Sequence, residues 1–437
     1  MPTHIDTIVV GGGVMGSAAA WQLARRGAEV ALFGRSGARG GARAAARTAP
    51  FSLARTDALE LRLLADAHAL WRTLERESGT AVLARTGGVE HGDPAELDEL
   101  ARVLPHLGFA AEPVSGAEAQ ARWPGLRADG AALHTPEAGS LDAGAAVQAL
   151  QREAGRAGAA LHTAHQVTRI RILGDDLTRI EVVPVDSDGE PSGEPEEFDS
   201  RRLIVTLGAW TAKLLGSVLV LPRLAVSQEY GIRFALRGED AGVPSFTHHP
   251  RSSDPHYRFW PSSLSGAVAP GRVPDSGTGG TRALGSGSRL AAGGGGGTAR
   301  TSPGIGAPAG EGAPAIFEHG DLSLGWAAPG AATEPDARDP RPDERERSAL
   351  LRYAHDWLPG VDADRFDEFA TVRAATRDGR FVLDRVGPVA VATAFSRRDF
   401  ALAPTIGELL ADLVEGIRAP AAFSLKGERR AAALASR

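Results

Sequence analysis

The sequence predicts an α/β fold, and three features of its first 35 residues carry that prediction. Residues 8–10 are a short β-branched run typical of a strand, residues 17–26 have the composition of a helix, and residues 29–33 are typical of a second strand. A glycine-rich turn joins the first strand to the helix, and Gly27 is placed to end that helix. Strand, tight turn, helix and parallel strand in this order form a βαβ unit.

The turn has the G-x-G-x-x-G spacing of a dinucleotide-binding motif. Glycines at these positions let the turn close and let a pyrophosphate approach the helix N-terminus, where unpaired N–H groups attract anions. A purely structural turn or a vestigial site is the alternative. We expect the dinucleotide to contact Gly11, Gly13, Val14, Met15 and Gly16.

The end of the second strand departs from the motif. An acidic residue is expected there to bind the ribose hydroxyls, but the sequence has Gly34 followed by Arg35. A neutral residue followed by arginine suits a 2′-phosphate, so these two residues alone leave NADP as an alternative to FAD. A weakened affinity for FAD is the other interpretation.

Composition excludes several classes of function. The 437 residues predict two domains, and a formal net charge of -6 gives no basic field for nucleic acid. The sequence contains no apolar run of about 18 residues, so it predicts no membrane span. We expect a cytoplasmic protein with a small-molecule ligand. Cysteine is absent, which excludes disulfides, thiolate metal sites and a cysteine-linked flavin.

Several motifs further along the chain resemble one family of flavoproteins. Residues 202–210 form an apolar strand that ends in Gly208-Ala209-Trp210, similar to the "TAGAW" segment of sarcosine-oxidase-like proteins. Residues 378–384 are similar to "D-G-x-F-x-x-D", and residues 395–396 and 403–410 resemble the family's final strand, loop and helix. Further landmarks follow the same order at residues 85–89, 122–126 and 135–139. Over nearly its whole length the chain resembles a diverged D-amino-acid oxidase or monomeric sarcosine oxidase, which favours FAD over NADP.

The resemblance implies a discontinuous, GR2-like, Rossmann-type FAD-binding domain and a mixed-sheet α+β substrate domain. Its implied segments are residues 1–83, 141–218 and 367–437 for the FAD domain and residues 84–140 and 219–366 for the substrate domain. The Gly/Ser/Pro-rich stretch 264–314 is expected to be a flexible insertion, either a tolerated surface loop or a lid. Helical spacing of leucines predicts an amphipathic helix over residues 56–77.

In such a family, an amine substrate gives a hydride to a flavin, and protein groups anchor the substrate carboxylate. The implied FAD is non-covalent, with Thr371 at the position of the flavin-linking cysteine. Besides the glycine turn, the expected FAD contacts are Arg35, Arg47, Val167, Gly208, Ala209, Trp210, Asp378, Phe395 and Ser396.

The chain departs from the family at its catalytic positions. Arg43 and Ala327 replace histidines, Ser323 replaces the oxygen-activating lysine, Arg373 replaces a tyrosine and Ala401 replaces a carboxylate-binding lysine. Loss of the lysine removes a fixed cation next to the site of oxygen reduction, so a dehydrogenase or a non-oxidative rearrangement is an alternative to an oxidase. Gly34, Ser323, Ala327 and Ala401 together make a pseudoenzyme that only binds ligands a further alternative.

Arginines are the catalytic candidates. Arg47, Arg373 and Arg398, with the neighbouring Arg397, are expected either to converge on a substrate carboxylate or to face solvent. The expected substrate is an amine or amino acid that carries a carboxylate. The oligomeric state stays open.

The clustered histidines give no metal site. His248, His249 and His256 lack a second group of ligands at metal-like spacing, so we expect them to be loop residues and expect no metal.

Overall fold

The computed structural model describes residues 2–35, 48–55, 57–187, 189–238, 243–249, 257–261, 320–326, 330–337 and 344–426. Predictions that concern Arg43, Arg47, His256, Ala327 or the 264–314 insertion fall outside these residues. Predictions that depend on the side chains of Arg397 and Arg398 also fall outside them.

The first sheet contains the predicted βαβ unit. Its order is β10-β11-β12-β1-β2-β9, and β19, with β18 beside it, pairs with the last residues of β12. The β12, β1, β2, β9 and β19 pairings are parallel. The strands are β1 (Thr3–Val10), β2 (Val30–Phe33), β9 (Ala160–His162), β10 (His165–Gly174), β11 (Leu177–Pro184), β12 (Glu196–Val205), β18 (Val382–Val386) and β19 (Val389–Thr393).

A second sheet of mostly antiparallel strands has the order β17-β13-β16-β15-β14-β5-β7-β6. A small third sheet has the order β3-β8-β4. The second sheet contains β5 (Gly88–Gly92), β6 (Glu112–Val114), β7 (Ala132–Thr135), β13 (Ala225–Leu236), β14 (Ser245–His249), β15 (Tyr257–Pro261), β16 (Asp321–Trp326) and β17 (Val361–Ala375), and the third contains β3 (Thr48–Phe51), β4 (Leu83–Ala84) and β8 (Gly139–Asp142).

Helices cover both large sheets. The amphipathic helix predicted after residue 56 is confirmed as α2, which begins after the N-cap Asp57 and ends at Gly79. None of the described helices is long and apolar enough to cross a membrane. The helices are α1 (Val14–Arg25), α2 (Ala58–Ser78), α3 (Pro94–Val103), α4 (Gly116–Arg122), α5 (Ala143–Arg156), α6 (Thr211–Leu215), α7 (Glu344–Trp357) and α8 (Ala403–Val414).

The α/β fold with a Rossmann-type unit is confirmed, and α1 is its central helix. Residues 14–24 are all buried, because α5 and α8 pack on α1. A Cβ at Gly407 of α8 would lie 2.5 Å from the carbonyl carbon of Ala18, so these two helices touch through their backbones. A helix that is apolar on all sides suits this buried layer.

The predicted domain boundary at residues 366/367 falls inside a strand. β17 runs without a break from Val361 to Ala375 and pairs with β13 along its length. Residues 367–375 therefore belong to the second sheet in the structure. The division of the chain into two domains stays a prediction.

Candidate cofactor and active site

The three motif glycines each meet a different spatial requirement. Gly11 has φ +122° and its N–H donates to the Phe33 carbonyl at 2.8 Å, which closes the turn against β2. A Cβ at Gly16 would lie 1.9 Å from the Gly11 carbonyl oxygen, so α1 packs directly on the turn. Among the residues that the structure describes, none has an atom within 4 Å of where a Cβ at Gly13 would lie. The turn is closed at Gly11 and Gly16 and open at Gly13.

The open side of the turn is the N-terminus of α1. Gly13 is its N-cap and provides no side-chain cap. Because the first N–H groups of a helix have no partner within the helix, they are available to an anion. A pyrophosphate group fits this cradle, which a side chain at Gly13 would fill.

Gln151 supports the turn from α5. Its Nε2 donates to the Gly12 carbonyl and to Ser17 Oγ, both at 3.1 Å. Sequence reasoning missed this residue, because it lies 139 positions from the turn.

Replacing Gln151 with alanine is expected to weaken FAD binding about three- to tenfold, the value of one or two net hydrogen bonds. The fold should persist, because Gln151 is only partly buried. Titration of the FAD-free protein with FAD measures this, and Arg152→Ala on the same helix is the control. Unchanged affinity for Gln151→Ala would contradict the positioning role.

A close approach of two backbones explains Gly34. Its N–H donates to the His162 carbonyl and its carbonyl accepts from His165, while a Cβ at Gly34 would lie 2.8 Å from the Cα of Gly12. The structure leaves no room there for the expected acidic side chain. Of two predicted contacts, Arg35 directly follows Gly34 and Val167 lies two residues after His165.

The other predicted cofactor contacts that the structure describes lie near the ends of β12 and β19. Gly208–Trp210 forms a short 3-10 helix after β12, and Thr393 at the end of β19 donates to the Gly208 carbonyl at 3.0 Å. Phe395 and Ser396 follow β19 after one intervening residue, Ala394. Asp378 caps the turn before β18, where its carboxylate accepts from Thr376 at 2.8 Å. Ligands of parallel α/β sheets bind at this carboxyl edge.

Trp210 is held by a residue that sequence reasoning missed. Its Nε1 donates to Asp336 Oδ1 at 2.7 Å, and Lys213 Nζ lies 2.5 Å from Asp336 Oδ2. Hydrogen bonds from Lys213 and Trp210 hold the pKa of Asp336 below its usual value. Asp336 thus attaches residues 330–337 to the predicted cofactor edge.

One face of the second sheet is apolar and the other carries buried charge. Along β13, Tyr230, Ile232 and Phe234 pack with α7, while the alternate positions Glu229 and Arg233 face the opposite side. That opposite face contacts the third-sheet region, since Ser245 Oγ donates to the Gly139 carbonyl at 2.7 Å and Ser52 Oγ to Glu90 at 3.4 Å. We call it the polar face; its charged members are Glu90, Glu229, Arg233, His249, Asp321, Asp367 and Arg373.

Arg373, a predicted catalytic residue, lies on the polar face. Its Nε lies 2.9 Å from Glu229 Oε1, with side-chain exposures of 15% and 11%. β17 also packs against Gly208–Trp210, which places Arg373 on the strand that reaches the cofactor edge. Its charge is already balanced by Glu229.

Arg233 forms a second, deeper cluster. Its side chain is 1% exposed and lies 2.9 Å from Asp367 and 3.5 Å from Asp321. The ring of Phe369 lies beside Gly231, between this cluster and the Glu229–Arg373 pair. Ser323, at the position of the family's lysine, is directly opposite Arg233 in the strand pairing. Two carboxylates therefore neutralise the cation nearest to Ser323 in register.

A buried ion pair joins Arg55, which follows β3, to Asp399, which lies between β19 and α8. Arg55 Nη1 lies 3.1 Å from Asp399 and 3.0 Å from Glu60, and Asp399 also accepts the Ser396 N–H at 2.7 Å. Trp71 Nε1 donates to the Ala401 carbonyl at 2.8 Å. Ala401, which stands at the position of the family's carboxylate-binding lysine, is thus buried just before α8 begins.

The prediction that His248 and His249 are loop residues is wrong. Both end β14, because β14 pairs with the buried β5. His249 Nε2 lies 2.9 Å from Glu90, and its Nδ1 lies 2.5 Å from Glu96. Burial alone would lower the pKa of His249, but hydrogen bonds and charges from Glu90 and Glu96 outweigh it and raise the pKa.

His249 is expected to stabilise the fold most at acidic pH. Its raised pKa means that its contribution is complete below the ordinary value of 6.5 and is lost as pH rises through the folded-state value. Thermal unfolding of the native protein and of His249→Gln from pH 5 to 9 should show a gap that narrows as pH rises. A gap independent of pH would contradict the paired imidazolium.

Comparison with known proteins identifies the family to which the chain belongs. A family model of FAD dependent oxidoreductases matches residues 6–413, and the chain belongs to that family. Monomeric sarcosine oxidase from Bacillus sp. (strain NS-129) is 23% identical over 94% of this chain and 93% of its own length. That from Bacillus sp. (strain B-0618) is 28% identical, over 50% of this chain and 55% of its own length.

Solved structures share the fold at low sequence identity. NikD, described as an unusual amino acid oxidase essential for nikkomycin biosynthesis, has a TM-score of 0.68 at 19% identity, covering 95% of this chain and 94% of its own. Glycine oxidase from Geobacillus kaustophilus has a TM-score of 0.67 at 21% identity, covering 97% and 99%. L-proline dehydrogenase from P. horikoshii has a TM-score of 0.68 at 16% identity, covering 95% and 94%.

The family's cofactor is FAD, and the described residues fit it. The open cradle at Gly13, the uncapped start of α1 and the clustered ends of β12 and β19 suit an extended dinucleotide. Since the chain has no cysteine, no cysteinyl bond to the flavin is available.

Proposed function

We propose that this FAD-dependent oxidoreductase oxidises a C–N bond of an amino acid or related amine that carries a carboxylate. FAD, when bound, supplies the two-electron acceptor. The observation that carries the proposal is the position of Arg373, a guanidinium on the polar face beside the predicted cofactor edge. The sarcosine oxidase relatives and the amino acid oxidase structures support the same substrate class.

Each group has a defined role in this proposal. The start of α1 and the residues after β12 and β19 hold the cofactor, and Arg373 binds the carboxylate in a bidentate manner. Arg47 and Arg398 stay in the proposal as further carboxylate-binding residues. The polar face keeps the charged end of the substrate away from bulk water. An ion pair is stronger there than in water, because the effective dielectric is lower.

Substrate-dependent reduction of the flavin tests this proposal. The holoprotein is mixed without oxygen with amino acids, N-methyl amino acids and simple amines, and the visible absorption of FAD is followed. At least one carboxylate-bearing amine should bleach the flavin, and Arg47→Ala should weaken its binding. If no amine bleaches the flavin, the proposed reaction is wrong.

A dehydrogenase that uses an acceptor other than oxygen is the second candidate. Ser323 replaces a lysine, and the cation opposite it, Arg233, is neutralised by Asp321 and Asp367. A neutralised site provides little stabilisation to the negative charge that develops on oxygen. Reoxidation that is slow in air and fast with an artificial acceptor would support the dehydrogenase.

A further inference from the structure

Residues 330–337 join the second sheet to the cofactor edge, and the first half of this segment is fixed to β13. The Gln228 N–H donates to the Ala331 carbonyl at 2.8 Å, and the Thr333 N–H donates to the Val226 carbonyl at 3.1 Å. Backbone hydrogen bonds of this kind hold a segment in register with its neighbour. The residues that follow therefore leave the second sheet from a fixed point.

The other end of the segment is held by the side chain of Asp336. One of its carboxylate oxygens accepts from Trp210 Nε1 at 2.7 Å, and the other lies 2.5 Å from Lys213 Nζ. The side chains of Asp336 and Lys213 are 48% and 67% exposed. An ion pair this exposed adds little net stability, because water and salt screen it. These contacts can therefore open while both sheets stay folded.

Asp336 interacts with residues on both sides of the glycine turn. In the first sheet β1 lies between β12 and β2, and all three run parallel, so their carboxyl ends are adjacent. Trp210 and Lys213 follow β12, the glycine turn follows β1, and Arg35 follows β2. Hydrogen bonds from its two partners lower the pKa of Asp336 most, and the nearby charge of Arg35 lowers it further. Asp336 therefore lies across the end of β1, where the pyrophosphate cradle opens.

We propose that Asp336 is a positioning residue that closes residues 330–337 over the pyrophosphate cradle, so that FAD enters and leaves only when its contacts with Trp210 and Lys213 open. All the groups that make this closure belong to the protein, so it forms with or without the cofactor. Both rates then scale with the fraction of molecules in which the segment is open. The affinity, which is the ratio of the two rates, depends on that fraction much less. This inference rests on FAD binding at the cofactor edge and not on the reaction proposed above.

The rates of FAD release and FAD uptake test this role. Release from the holoprotein is followed by transfer of FAD to an excess of a second, tighter-binding apoflavoprotein. Uptake by the FAD-free protein is followed by the change in flavin fluorescence. Asp336→Ala should raise both rates about tenfold, because it removes a charge-assisted hydrogen bond and an exposed ion pair.

Two further variants make the test specific. Lys213→Met removes the ion pair and keeps the contact with Trp210, so both rates should rise about two- to threefold. Glu334→Gln is the matched control, because it removes an exposed carboxylate from the same segment, and it should leave both rates unchanged. Thermal unfolding of the FAD-free proteins shows whether each variant is folded.

The direction of the uptake rate separates closure from a merely structural role. A damaged site takes up FAD more slowly and releases it faster, and that result in folded Asp336→Ala or Lys213→Met overturns the inference. Unchanged rates in both variants overturn it, as does a native protein that takes up no FAD. Lys213 is 67% exposed, so its variant keeps the test open if Asp336→Ala fails to fold. If both rates rise but no amine bleaches the flavin, the closure stands and the proposed oxidation fails.

Discussion

Replacing Gly16 with alanine is expected to destabilise the folded protein by about 3 kcal/mol or more, because its Cβ would lie 1.9 Å from the Gly11 carbonyl oxygen. A Cβ at Gly16 would also lie 2.6 Å from Thr206 Oγ1, so it would clash with two groups at once. Thermal unfolding of the FAD-free protein measures the loss.

Gly13→Ala is the matched control for Gly16→Ala. Its Cβ would meet no atom of the described residues within 4 Å and its φ is -75°, so the FAD-free protein should unfold within about 0.5 kcal/mol of the native one. The methyl group would occupy the cradle, so FAD affinity should fall about tenfold or more. Equal FAD affinity in Gly13→Ala would mean that the pyrophosphate lies elsewhere.

Replacing Arg233 with methionine is expected to cost about 3–5 kcal/mol of stability. The change leaves Asp321, at 2% exposure, without the guanidinium that faces it, together with Asp367. Chemical denaturation at saturating FAD measures the loss in both proteins.

A double variant separates lost charge from lost packing. Arg233→Met with Asp321→Asn should recover part of the stability, because the second change removes the buried charge. Arg102→Met, which breaks the exposed pair with Glu99 on α3, should leave stability unchanged. If the double variant is less stable than the single one, the buried charge of Asp321 is not the cause.

Local signals explain which parts of the fold the sequence predicts. The glycine spacing and the β-branched runs around it act within about 30 residues, and β1, α1 and β2 form as expected. The leucines of α2 repeat at helical spacing, and Leu63 and Leu74 are buried while Leu59 and Leu70 are partly buried. In these elements, local preference and the final fold agree.

The polar face shows what local signals leave out. The alternation of Glu229 and Arg233 with Tyr230, Ile232 and Phe234 predicts a strand with two unlike faces. It does not predict that the polar side would also be buried, because that depends on strands far away in sequence. Arg55 and Asp399, 344 residues apart, illustrate the same limit at the cofactor edge.

Two histidines of β14 show the same limit. His248 and His249 lie near a loop in sequence, yet β14 pairs with β5 and brings Glu90 to His249 across 159 residues. A polar residue whose buried partner is distant in sequence gives no local sign of burial.

FAD binding is the property on which the proposed function depends most directly. Visible absorption of the purified protein, with and without added FAD and again after denaturation, measures the bound cofactor and its release. We expect a flavin spectrum at one FAD per chain, with the flavin released intact because no cysteine is present to hold it. A protein that takes up no flavin would contradict the account and leave a fold used only for binding other ligands.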